Sequence, residues 1–230
     1  MLLLAIDTAG TTGSVALARS DCDDGLPAVE MIALPGRAFS AHLIPAIDTL
    51  LRQNRSSLAA LDGFVVVRGP GSFTGLRVGL SAVKALAEVT GKPVIALSRL
   101  AVMASMQPEA SPIHALLDAG RGEFYSGLYH DAGDTCVRES LETAATLRTA
   151  LRPATRRCLV AERSLATALQ EYAPVRVADP TAAEALPLAL RYWRRKQFAD
   201  IALLDANYLR RSDAELFAKP IQPARLSPDC

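Results

Sequence analysis

Apolar positions along the chain fall in short blocks separated by glycine, proline and polar residues. LLLAI at 2–6 stops at the turn-rich DTAGTTG at 7–13, and SVALA at 14–18 resumes it, which predicts a β-hairpin. VEMIAL at 29–34 predicts a third strand, after a polar loop holding Asp21, Asp23, Asp24, Gly25 and Pro27. AHLIPAIDTLLRQN at 41–54 has helical spacing: Leu43, Ile47 and Leu50 share one stripe, with Ile44 and Leu51 beside it. Ser40 is its expected N-cap, and Pro45 is then tolerated near the first turn. FVVV at 64–67 predicts a buried strand, GPGSFTG at 69–75 breaks it, and 76–89 predicts a helix ended by Gly91 and Pro93. VIAL at 94–97 predicts a further strand. The order β-β-β-α-β-α-β implies a mixed sheet covered by helices.

The second half repeats the opening. IHALLDA at 113–119 and EFYSGLY at 123–129 form a second hairpin pattern around Gly120 and Gly122. CLVA at 158–161 predicts a strand, and 163–171 and 182–197 predict helices, the latter with Pro187 inside. IQPARLSPDC at 221–230 predicts a loose tail. Asp7-Thr8-Ala9-Gly10 and Asp118-Ala119-Gly120 occupy equivalent places, which suggests two related lobes.

Composition narrows the function classes. The 230 residues allow one large domain or two small lobes. Half are hydrophobic and only 5% aromatic, with 40 Ala and 33 Leu, which suits closely packed helices. Twenty-five Lys and Arg against 24 Asp and Glu exclude a globally basic nucleic-acid binder but leave room for a local basic patch. Cys22, Cys136, Cys158 and Cys230 contain no C-x-x-C pair, so neither a zinc ribbon nor a thioredoxin-type site is supported. Met1 to Ile6 is too short for a signal peptide, and no apolar run approaches the ~20 residues of a membrane span. The expectation is a soluble cytoplasmic protein with no membrane partner.

Three segments could carry chemistry. The turn DTAGTTGS at 7–14 can offer backbone N–H groups and hydroxyls to a phosphate, with Asp7 placed to hold a hydrated metal ion; a plain hairpin turn capped by Asp fits equally well. GPGSFTGLR at 69–77 is neither a P-loop, which needs a Lys, nor G-x-G-x-x-G, because Thr74 takes the third glycine place. It leaves close helix packing along Gly75, Gly79, Ala82 and Val83, anion binding at a helix start, or a tight turn. In LLDAGRGEFYSGLY at 116–129, Arg121 and Glu123 stand where a phosphate-hugging loop would want small residues, which argues against efficient nucleotide hydrolysis. His42, His114 and His130 are isolated, so no metal motif is present, and GSFTG at 71–75 is not a serine-hydrolase elbow. Arg191, Arg194, Arg195 and Lys196 read as a solvated helix face or an RNA contact.

DTAGTTGSVALA, SAHLIPAI, GPGSFTGLRVGLSAVKALA, LLDAGRGEFYSGLY and NYLRRSDAE, in that order, resemble the bacterial TsaB family from Met1 to about Lys219. The resemblance implies an α/β fold of two ASKHA lobes (the actin, Hsp70 and sugar-kinase superfold), each a mixed sheet covered by helices, with the second lobe reduced. It divides the chain into a first lobe at 1–100, a second at 101–219 and a flexible tail at 220–230.

The family implies a part in making N6-threonylcarbamoyladenosine at position 37 of tRNAs that read codons beginning with A. In that scheme TsaC makes an adenylate, TsaD holds the catalytic metal and transfers the group, and TsaE is a P-loop ATPase that joins the complex. A TsaB chain would be an essential scaffold without catalytic residues, cofactor or metal of its own. The outline of a phosphate loop at Asp7, Gly10, Thr11 and Thr12 would then be a relic. One departure is Gly120-Arg121, where the resemblance leads one to expect an Arg-Arg pair.

The TsaD contact is expected on the helices at 41–54 and 76–89, through Leu43, Ile47, Leu50, Gly75, Gly79, Ala82, Val83 and Leu86. The same surface would form a homodimer in the absence of TsaD, and tRNA would be met through the complex. The rival expectations are a catalytic ASKHA small-molecule kinase or ATPase, dependent on Asp7, and a peptidase, which no recognisable site supports.

Overall fold

Ten strands and six α-helices form two sheets and three helical layers. The computed structural model describes residues 1–19, 28–36, 38–107, 112–151 and 157–210. The predicted polar loop around Asp21 to Pro27, Cys22, Cys230 and the predicted tail lie outside the described residues.

The first sheet contains β1 (Leu2–Asp7), β2 (Gly13–Arg19), β3 (Ala28–Leu34), β4 (Gly63–Val67) and β5 (Val94–Leu97), in the order β3-β2-β1-β4-β5. β1 pairs antiparallel with β2 and parallel with β4. The second contains β6 (Ile113–Gly120), β7 (Glu123–His130), β8 (Thr135–Thr143), β9 (Arg157–Val160) and β10 (Val175–Arg176). Its order, β8-β7-β6-β9-β10, and its pairing directions repeat the first sheet strand for strand. The cause is local: each lobe opens with two hairpins, and each parallel strand arrives only after a helical crossing. The two-lobed α/β arrangement expected from the sequence is the one observed.

Helices α1 (Phe39–Gln53) and α2 (Phe73–Thr90) cover the outer face of the first sheet. Helices α4 (Ala144–Leu151) and α5 (Arg163–Ala168) cover the outer face of the second. Helices α3 (Arg99–Ser105) and α6 (Ala182–Arg194) lie between the sheets, and one continuous core runs through them into both. Ala101, Ala104, Ala182, Ala185 and Ala189 in this central layer are buried. Their small side chains let helix backbones approach both sheets closely. α6 is fixed at its start by a capping box: Ala183 N–H donates to Thr181 Oγ1 at 3.2 Å, and Thr181 N–H donates to Glu184 Oε2 at 2.9 Å.

Several boundaries differ from expectation. α1 begins at Phe39, so Ser40 is inside the helix and is not its cap; Ala38 takes that place without a side-chain bond. Pro45 therefore lies in the second turn, on the exposed side. α2 begins three residues early, because the Ser72 hydroxyl accepts Gly75 N–H at 3.2 Å. α3, β8, β10 and α4 were not anticipated, and the predicted helix at 163–171 ends at Ala168, followed by a short 3-10 turn.

Residues 197–210 run back across both lobes. Ala199 N–H donates to Val94 O at 2.8 Å, and Asn207 N–H donates to Arg68 O at 2.7 Å. The Asn207 amide donates to Glu139 on β8, and Arg210 donates to Ala119 O at 2.6 Å in the second hairpin.

Candidate functional site

The two hairpin turns face each other across a cavity of about 1010 Å³. Its first-lobe wall is Ala9 to Thr11 and the loop Gly71 to Gly75. Its second-lobe wall is Asp118 to Gly120 with Tyr125 and Glu162, and Arg99 and Asp179 stand at the chain crossings between the lobes.

The first turn is built from inside. Asp7 is 2% exposed, and its Oδ1 accepts Ala9 N–H at 2.8 Å. Burial pushes its carboxyl up to about 6, with the nearby Arg99 guanidinium opposing part of the rise. Gly10 and Thr11 line the cavity, while Thr12 is exposed and absent from its wall. The second turn uses the same device: Asp118 Oδ1 accepts Gly120 N–H at 2.7 Å. Gly120, Arg121 and Gly122 all adopt left-handed backbone, which explains the two glycines. Both aspartates thus act as turn caps.

The glycine-rich loop packs on the first turn. Ser72 N–H donates to Ala9 O at 2.8 Å, and Thr8 Oγ1 donates to Gly75 O at 2.7 Å. A β-carbon on Gly75 or Gly79 would collide with Thr8. The small-residue ridge of α2 therefore faces its own hairpin.

Arg99 and Asp179 were not picked out from the sequence. Arg99 is 7% exposed, and its Nη2 donates to Asp179 Oδ1 at 2.5 Å. The same Nη2 stands 2.8 Å from where a β-carbon on Gly10 would lie. Glu162 Oε1 accepts Asp118 N–H at 3.3 Å, and burial raises the Glu162 carboxyl above its usual range. A two-lobed kinase-like fold implies a nucleotide whose phosphates meet these two turns. The residues here do not fit one: a paired guanidinium covers Gly10, and Asp118, Glu162 and Asp179 line the rest of the approach.

The remaining candidates separate. Arg191 and Arg195 each pair with Asp134 at 3.3 Å, and Arg191 also donates to Ala132 O at 2.7 Å, so half of the basic cluster holds α6 to the second lobe. Cys158 is buried, which pushes its thiol up to about 12, and Cys136 is exposed. Among the described residues no group of three His, Cys, Asp or Glu could hold a metal ion, and no helix is long and apolar enough to cross a membrane.

Of the residues expected at a partner contact, Leu43, Ile47, Leu50, Gly75, Gly79 and Val83 are buried beneath α1 and α2. Ala82 and Leu86 are half-buried. The outward positions of the same helices include Ile44, 53% exposed, and Val89, 85% exposed, with Ser81 and Ala85 between them in sequence.

Comparison with known proteins places this geometry. The family described as TsaD, tRNA N6-adenosine threonylcarbamoyltransferase, matches residues 33–184. The chain is 35% identical over 130 residues to the tRNA threonylcarbamoyladenosine biosynthesis protein TsaB of Bacillus subtilis, a match over 56% of this chain and 55% of that one. It is 32% identical over 151 residues to the TsaB of Escherichia coli, over 64% and 63% of the two chains. In both comparisons the chain spans less than two thirds of the curated relative.

Two solved structures are similar throughout. A Pseudomonas aeruginosa protein described as uncharacterized, with similarity to peptidase YEAZ, has a TM-score of 0.72 at 28% identity over 91% of this chain and 99% of that one. YeaZ from the same organism has a TM-score of 0.69 at 26% identity over 90% and 100%. The chain belongs to the family of TsaD, tRNA N6-adenosine threonylcarbamoyltransferase, and within it to the TsaB proteins.

Proposed function

We propose that this chain is a non-catalytic, cytoplasmic subunit of the assembly that installs N6-threonylcarbamoyl groups on tRNA, and that it works by binding and organising TsaD. The observation that carries the reading is the outer face of α1 and α2. Ile44 and Val89 stand exposed there beside small residues, while the larger apolar side chains of both helices are already spent on their own sheet. Exposed apolar residues among small ones suit the approach of a second helix pair. A TsaD subunit, related in fold, would offer such a pair, and a second copy of this chain would do so when TsaD is absent. TsaE and tRNA would join through the assembled complex.

The cleft supports the non-catalytic half of the proposal. Its two aspartates are engaged as turn caps, and its buried guanidinium is neutralised from within. The test is titration of TsaD onto wild type, Ile44→Asp and Ala85→Glu. Both exposed substitutions should leave the fold intact and weaken TsaD binding by at least about tenfold, or about 1.4 kcal/mol. Unchanged affinity in both would refute this interface.

A further inference from the structure

We propose that Arg99 and Asp179 form a built-in closure of the first turn, which shuts the cleft to nucleotide polyphosphates and lets the chain fix its own lobe geometry. The inference does not depend on the choice of partner. It rests on where the two residues sit. Arg99 opens α3, immediately after β5 leaves the first sheet, and its N–H donates to Gly69 O at 2.7 Å. Asp179 lies between β10 of the second sheet and α6, which returns to cover the first. The start of α6 is in turn held to the first turn, where Ala182 N–H donates to Ser14 Oγ at 2.9 Å. The 2.5 Å pair therefore ties together the two places where the chain crosses between lobes.

The guanidinium could in principle attract a phosphate, but its charge is already matched. Asp179 pairs with it directly, and the carboxyls of Asp7 and Glu162 are close enough to feel it. A polyphosphate reaching Gly10 would have to displace the Arg99 side chain or stack several negative charges against it. It would also pass Asp118, Glu162 and Asp179 on the cavity wall. Like charges at such range oppose binding. Displacing Arg99 would leave Asp179 without its partner, which is costly for a side chain packed this deeply. Gly10 has no side chain for the same reason: a β-carbon there would meet the guanidinium.

Two side chains of the chain thus take the place of a ligand's anion and its counter-ion. Removing the guanidinium uncovers Gly10 and leaves Asp7 and Asp179 free to share a magnesium ion brought in with the polyphosphate. The experiment is calorimetric titration of magnesium-ATP and magnesium tripolyphosphate into the full chain, as wild type, Arg99→Ala and Arg99→Met. Thermal denaturation of each confirms that it is folded. Wild type should show no saturable binding, and the folded Arg99 variants should bind at least about tenfold more tightly than wild type. Arg99→Met keeps the buried stem should alanine unfold the protein. Binding by wild type that is lost in the variants would make Arg99 a phosphate ligand and overturn the proposal. Variants that fold and bind no better than wild type would overturn it equally.

Discussion

The Thr8 hydroxyl lies against the bare α-carbon of Gly79, in the space a β-carbon would need, while it donates to Gly75 O at 2.7 Å. One threonine on the first turn thus specifies two glycines a helical turn apart on α2. The close approach that the glycine spacing predicts is real, but it is made to the chain's own hairpin.

Gly79→Ala should therefore destabilise the fold by about 1–3 kcal/mol, the usual cost of overpacking, even though alanine favours a helix. Urea denaturation of wild type and variant measures this directly. Unchanged stability would mean that the hairpin yields at no cost.

Asp7 carries a pH signature. Its native pKa of about 6 lies above the unfolded 3.8, so the native state holds the proton more tightly. The stabilisation from this group is full below about pH 3.8 and is lost as pH rises through about 6, a loss of up to roughly 3 kcal/mol. Asp7→Asn keeps an oxygen for Ala9 N–H and cannot ionise. The wild-type stability minus that of Asp7→Asn should fall between pH 4 and 6.5 and then level off. A difference that is flat, or that rises with pH, contradicts the assignment.

The capping box on α6 predicts a modest, local cost. Thr181→Ala removes the oxygen that accepts Ala183 N–H and should lower stability by about 1 kcal/mol. Thermal denaturation reads it, and Arg194→Ala on the exposed end of the same helix should stay within about 0.5 kcal/mol of wild type.

The sequence was legible where local pattern and tertiary packing agree. β1, β2, β4 and β5 are short, β-branched or aliphatic runs closed by glycine or polar turns, and they sit within a residue or two of expectation. α3 was missed because RLAVMAS is buried between two sheets on nearly every side, so it shows no amphipathic period. β8 was missed because it is an edge strand whose exposed positions, such as Thr135 and Arg138, make it read as loop, and its register with β7 shifts near Tyr129.

The site was half legible. Both turns announce themselves by Asp and Gly at a strand end. Arg99 and Asp179 are 80 residues apart and meet only through the two crossings between lobes. The one local clue is a charged residue heading an apolar segment. The partner residues misled for a different reason: the strongest apolar stripe of a helix is the one its own sheet claims, and an interface uses what is left.

The account's central claim is an accessory subunit that acts through the outer face of α1 and α2. Its most direct test is reconstituted tRNA threonylcarbamoylation with TsaC, TsaD and TsaE, run without this chain and with wild type, Asp7→Asn or Ile44→Asp. The account predicts activity that requires the chain, survives Asp7→Asn and falls with Ile44→Asp. Activity abolished by Asp7→Asn in a complex that still assembles, or retained in full by Ile44→Asp, would contradict it.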